Sequence, residues 1–206
     1  MRTKLKRVLL TVHLLIVFGC LQAWAQDQPS QSPANSSRFS HKGLKGAIAF
    51  GSIDSEFGEK FDDGGGGLLG IGYGFDDRFT LWLTLLGAEH PSNAVHNKSH
   101  FGGIELNLQY RFFHQSRLQP YGKVGAGLYG FEEDGTNTTF AGSGFAIGVG
   151  VDWFLSRHFA IGAELMFKEL DYSTMIERGD GPDVTTELRP KLDGDAAAFM
   201  LGLTIQ

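Results

Sequence analysis

Four groups of side chains in this sequence are of types that do chemistry. His90 and Ser92 stand two apart in His90-Pro91-Ser92-Asn93-Ala94, and Glu105 follows. The plain alternative is a polar loop, because His, Ser and Asn favour water and turns. His96 and His100 could ligate a metal, but two histidines with no fixed third ligand make no site. Glu132-Glu133-Asp134-Gly135 could attract Ca²⁺, yet it lacks the spacing of a calcium loop. Arg178-Gly179-Asp180 is an adhesion-type tripeptide, a three-residue signal that chance also produces. No metal or cofactor is expected.

The elements that carry these residues begin with an export signal. Arg2, Lys4, Lys6 and Arg7 precede the apolar run Val8–Phe18, and Ala23-Trp24-Ala25 offers a small-x-small cleavage site. The run is too short for a spanning helix, which needs about 20 residues. Residues 1–25 therefore read as a signal peptide. Val17-Phe18-Gly19-Cys20 is a competing lipobox-like site, at which Cys20 would be lipidated. Cleavage after Ala25 would leave no cysteine for disulfides, thiol catalysis or metal sites. The formal net charge is −5, and it falls further when the basic signal is lost. An acidic exported chain lacks the clustered Lys and Arg that nucleic-acid binding requires.

Residues 26–43 are polar and rich in Ser, Gln, Asn and Pro, and predict a flexible leader. From Leu44 to Gln206 the hydrophobic period is two. Ile104, Leu106, Leu108, Tyr110 and Phe112 alternate with Glu105, Asn107, Gln109 and Arg111. Phe145, Ile147, Val149, Val151 and Trp153 alternate with small residues and Asp152. Such alternation predicts strands with one apolar and one polar face. Eight such segments are present, most of them near the roughly 9–11 residues of a tilted membrane strand. Leu44–Ile53, Gly66–Gly74 and Pro120–Phe131 are the glycine-rich ones.

Connections alternate in length. Phe75–Arg78, Phe113–Gln119 and Leu155–His158 are short, whereas Asp54–Gly65, His90–Ser99, Glu132–Thr138 and Ser173–Gly194 are generally longer and polar. An up-and-down barrel in a bacterial outer membrane has short periplasmic turns and longer external loops, which would put both termini in the periplasm. Tyr73, Phe75, Phe79, Tyr110, Phe112, Trp153, Phe154 and Phe159 flank the short turns and predict an interfacial aromatic girdle.

A soluble lipocalin-like barrel has the same alternation turned inside out. The glycines decide against it. Gly70, Gly72, Gly74, Gly125, Gly127, Gly144, Gly148, Gly150, Gly162 and Gly202 fall on the polar face, where a crowded lumen needs small residues. That lumen would hold Lys45, Glu105, Asn107, Gln109, Arg111, Lys123, Asp152, Glu164 and Lys168 as a salt-bridged plug. The fold expected is all-β: an eight-stranded antiparallel up-and-down transmembrane β-barrel over 44–206.

Two stretches carry a resemblance. Leu118-Gln119-Pro120-Tyr121-Gly122-Lys123-Val124-Gly125 and Gly148–Leu165 resemble the fifth strand and the sixth-to-seventh strands of the OmpA/OmpX-like barrel family. The resemblance implies a fold, outer-membrane lipids and the barrel-assembly machinery as partners, and no particular activity. His90-Pro91-Ser92-Asn93, with Glu105 after it, resembles the His-x-Ser-Asn pattern of outer-membrane lipid A deacylases. That resemblance implies Ser92 as nucleophile, His90 as its base and Glu105 as the orienting group. There the pattern lies on the last hairpin, here on the second. The leading expectation is a non-enzymatic, porin-like barrel with a filled polar lumen and a structural or surface-exposed role. The alternatives are the lipid A hydrolase and an adhesin that meets an extracellular ligand or host surface through 173–194.

Overall fold

A computed structural model of the chain describes residues 39–57, 60–91, 98–133, 136–179 and 182–206. The signal segment, Cys20, most of the leader, Ser92, His96, Asp134, Gly135 and Asp180 lie outside the described residues.

Eight strands follow one another: β1 Gly43–Phe57, β2 Lys60–Gly74, β3 Phe79–Pro91, β4 Lys98–Arg111, β5 Leu118–Glu133, β6 Thr138–Phe154, β7 Phe159–Glu177 and β8 Val184–Ile205. Each pairs antiparallel with the next, and β8 returns to β1. The closed ring leaves no unpaired strand edge. Closure suits a bilayer, where no water is available to satisfy free backbone groups.

Alternation maps onto the two faces as the sequence predicts. Leu44, Phe50, Leu69, Ile71, Leu106, Leu128, Phe145 and Ile147 point outward and are exposed, Phe145 at 76% and Leu44 at 73%. Their neighbours Lys45, Glu105, Gln109, Arg111 and Asp152 point inward and are buried. A soluble barrel would reverse this. Apolar exposure on every strand far exceeds what a water-soluble surface carries, and reads as a lipid belt. Glycine makes the inside possible. A Cβ on Gly72 would lie 2.7 Å from the Trp82 ring, so an indole fits inside only because the opposing strand has no side chain there.

The strands are 13 to 22 residues long, longer than the alternation predicts. They extend at the long-connection end. Asp54 pairs with Asp63, and Phe57 with Lys60. Thr174 pairs with Glu187, and Glu177 with Val184. Much of each long connection is therefore a hairpin that continues the barrel ladder. Backbone pairing needs no apolar face, so it persists where the outward side chains have left the lipid and the period has faded. The β7–β8 ladder is interrupted where Ser173 faces Leu188–Lys191, a register shift between Tyr172 and Thr174.

Short turns close on their own side chains. The Asp76 carboxylate accepts from the Arg78 and Phe79 amides at 2.8 and 2.7 Å. The Ser156 hydroxyl accepts from the His158 and Phe159 amides at 3.2 Å. The girdle forms beside them: Phe79 and Tyr110 rings lie 5.0 Å apart, and Tyr110 and Phe112 rings 5.2 Å apart. Phe154 is the exception to the expected girdle. Trp153 faces outward, so parity turns Phe154 into the barrel, where it is 1% exposed.

Candidate functional site

The lumen is the place where the buried chemistry collects, and it has two tiers. The polar tier occupies the middle and the short-turn end. Arg111 on β4 donates to Asp152 on β6 at 3.0 Å and to Thr80 on β3 at 3.2 Å. Lys123 on β5 pairs with Glu164 on β7, which also accepts from the Tyr121 hydroxyl at 2.8 Å. Lys168 on β7 pairs with Glu105 on β4. Glu105 accepts in addition from Tyr129 and Asn107, each at 3.0 Å. Trp82 donates its indole N–H to Gln109.

These pairs explain how charges survive inside. Burial without a partner would strip each ion of hydration at a cost of several kcal/mol, whereas paired and hydrogen-bonded groups recover most of it. Inward projection from neighbouring and facing strands brings the opposite charges together across the narrow bore. Lys45, Glu105, Asn107, Gln109, Arg111, Asp152, Glu164 and Lys168 are buried inside as the sequence predicts, and Lys123 joins them through its pair with Glu164.

Above the polar tier, toward the long hairpins, the lumen turns apolar. Ile53, Leu86, Phe101, Tyr129, Phe131, Leu170, Tyr172, Ala196 and Ala198 form one buried cluster. Phe101 and Tyr129 stack at 5.9 Å between ring centres. The expectation of a filled lumen holds, and the expectation of a wholly polar one is corrected. Ile53, Phe101, Phe131, Leu170 and Tyr172 sit where the outward neighbours are polar or glycine, so alternation read for a lipid face hides them. A cavity of about 50 Å³ remains beside Trp82, Thr84, Gln109, Lys123 and Glu164. That is room for a water or two, not for a hydrated ion file.

His90 sits at the long-hairpin rim, fully buried. Its Nε2 lies 2.9 Å from the Ile53 carbonyl and 3.1 Å from the Ser55 hydroxyl. A carbonyl can only accept, so Nε2 carries the proton and is not free to serve as a base toward Ser55. Glu105 pairs with Thr84, six positions along β3 from His90. At about 3.4 Å per residue that is a separation of about 20 Å. Leu86, Ala88 and Phe101 lie between. The fold therefore does not bring His90 and Glu105 together, and Glu105 is committed to Lys168.

His100 faces outward beside Glu89 and Glu132 in register. Among the described residues no group of three His, Cys, Asp or Glu could hold a metal ion. Arg178 approaches Glu132 at 3.9 Å and Asp183 at 4.0 Å.

The short-turn mouth is covered by a segment that sequence reasoning left as leader. Phe39 is 4% exposed and His41 is fully buried. Phe39 packs on Phe154 and Ala160. Phe39 was the available signal: an aromatic ring in an otherwise polar stretch needs a place to bury.

Solved structures share this architecture. Neisserial surface protein A is similar with a TM-score of 0.62 at 12% identity, over 80% of this chain and 97% of that one. OprG from Pseudomonas aeruginosa is similar at 0.51 and 16% identity, over 82% and 98%. AlkL, solved in DMPC bilayers, is similar at 0.51 and 17% identity, over 86% and 96%. At these identities the likeness is one of fold. No curated protein matches the chain in sequence. The family described as "Outer membrane protein beta-barrel domain" matches residues 11–204. With its closed eight-stranded ring, lipid-facing apolar belt and ion-paired lumen, the chain belongs to that bacterial outer-membrane β-barrel family.

Proposed function

We propose that this protein is a closed, non-enzymatic barrel that anchors long hairpins at the cell surface. In this reading the signal peptide is removed, the short turns and both termini face the periplasm, and the β7–β8 hairpin is the main element shown to the outside. The observation that supports it best is the filled lumen: ion pairs below, a stacked apolar tier above. A barrel with this interior serves as a support for what protrudes from it. The 22-residue β8, which carries its hairpin well beyond the apolar belt, supports the same reading.

The test combines two measurements on the full chain. The refolded protein in planar bilayers should give no discrete conductance steps. Protease added to intact cells should cut within 173–194 and leave a heat-modifiable barrel core in the membrane. Stable single-channel steps would overturn the closed-barrel reading. A hairpin cut only after the outer membrane is opened would overturn the orientation.

A further inference from the structure

We propose that the short-turn end of the lumen binds a small monovalent anion, such as chloride, between Lys45, Arg111 and the strap Phe39–Lys42 that covers the mouth. The charge balance carries this first. Among the described residues of the polar tier, the cations Lys45, Arg111, Lys123 and Lys168 stand against the carboxylates Glu105, Asp152 and Glu164. Each carboxylate is already engaged: Glu105 by Lys168, Glu164 by Lys123 and Asp152 by Arg111. Lys45 is the cation left over in this set. It is 2% exposed, and its ammonium has no hydrogen-bond partner. An ammonium buried with neither water nor a counterion is strongly unfavourable.

Unpartnered nitrogens gather at the same end. Arg111 uses its terminal nitrogens on Asp152 and Thr80, and its Nε is buried and unpaired. His114, in the β4–β5 turn, keeps a buried Nδ1 without a partner. These groups surround His41 of the strap. Lys45 and Arg111 face its ring, and the His114 carbonyl lies 3.3 Å from its Nε2. All three nitrogens can donate, and two belong to full charges, which is the donor set that charge-assisted bonds to an anion require. The nearby acceptors do not supply that charge. Asp77, in the β2–β3 turn, accepts from the His41 amide at 3.0 Å. Gln206 presents its side-chain oxygen to the His41 ring at 2.9 Å. Gln119 keeps an unpaired Oε1 in the β4–β5 turn, but a neutral amide oxygen leaves the surplus charge in place.

Burial sets the size of the occupant. Arg111 is fully buried, and the strap closes the mouth with Phe39 packed on Phe154 and Ala160. A phosphate or a sulfate is large and holds its water tightly, whereas chloride is a single atom and sheds water more cheaply. Glycine supplies the room. Lys45 is in register with Gly72, and a Cβ on Gly74 would fall 3.3 Å from Lys45 Cε. At these two inward positions β2 places no side chain beside the ammonium. The same Cβ on Gly74 would fall 1.7 Å from the His41 carbonyl oxygen, so the strap backbone closes over the end of the lysine. An anion there neutralises the surplus charge and is held in by the strap.

The test uses the full chain folded in lipid vesicles and unfolded in urea at neutral pH, in sodium chloride or in sodium gluconate at equal ionic strength. Gluconate is too large to enter beneath the strap. The wild-type folding equilibrium constant should be about 10-fold larger in chloride, as for a site about 90% filled. Lys45→Met, which removes the surplus charge, should lose that dependence while the barrel keeps its heat-modifiable mobility. Crystals of the full chain soaked in bromide should show an anomalous peak beside Lys45, absent in Lys45→Met. The proposal is overturned if wild-type stability is the same in the two salts, which would mean that the amine is buried uncharged. It is overturned equally if the chloride dependence persists in Lys45→Met, or if bromide is found only outside the barrel.

Discussion

At the scale of single residues, Glu105 is a hub of the lumen. It accepts from Lys168, Tyr129 and Asn107, on three separate strands when its own is included. Removing its charge leaves Lys168 buried and unpaired, which costs about 3–5 kcal/mol, whereas removing both charges together costs much less. Glu105→Gln should therefore lower stability by about 3 kcal/mol, and the Glu105→Gln/Lys168→Met pair should recover most of it. Urea unfolding in vesicles, followed by heat-modifiable gel mobility, reads both values. A double variant no better than the single would mean that the pair is not the stabilising unit. The same residue bears on hydrolysis. With Glu105 held by Lys168 and set far from His90, Ser92→Ala should leave lipid A acylation unchanged. Mass spectrometry of lipid A from cells making the two forms checks this, and Ser92-dependent loss of acyl chains would restore the enzyme reading.

Elements show a different economy. On the outward face, β7 and β8 set Glu169 opposite Asp195 and Asp171 opposite Asp193. Like charges directly opposite each other weaken a sheet by roughly 0.2–1 kcal/mol per pair. One relief is Lys191, 4.0 Å from Asp171. Asp195→Asn should therefore raise the unfolding midpoint, by about 0.5 kcal/mol at low ionic strength. The gain should shrink as salt screens the repulsion. An unchanged midpoint at low salt would show that the two carboxylates already stand apart. These acids begin where the apolar belt ends, so they mark the rim of the lipid-facing band on this side of the ring. The short turns depend instead on Asp76 and Ser156. The Asp76 carboxyl is held below its ordinary range by the Phe79 and Arg78 amides it accepts from. Its contribution is therefore present above the ordinary carboxylate pKa and lost in strong acid.

For the whole molecule, the ring of eight strands ties these scales together. Closure fixes which side chains face each other across the bore, and two ends with different covers follow from it. Much of this was legible in the sequence. Ile104 to Phe112 against Glu105 to Arg111 set both faces of β4, because a strand turns successive side chains to opposite sides. The inward glycines, opposite residues as large as Trp82, gave the sign of the barrel: small on the crowded side, large toward lipid. Eight alternating segments gave the strand number, and the short connections between them gave the antiparallel order. The full reach of the strands was not legible, because Asp54 or Glu177 pairs through backbone atoms that leave no hydrophobic period. The apolar tier of Phe101, Phe131 and Tyr172 was hidden for the same reason, since its outward neighbours are polar or glycine. Nor could spacing along one chain show that Glu105 meets Lys168 and misses His90. Composition listed the lumen charges, but partners across a bore are chosen by shear and register, which exist only once the ring has closed. The strap over the mouth belongs to that second class too. Phe39 and His41 have nothing to bury against until β2, β4, β6 and β8 bring Gly74, Arg111, Phe154 and Gln206 to one rim.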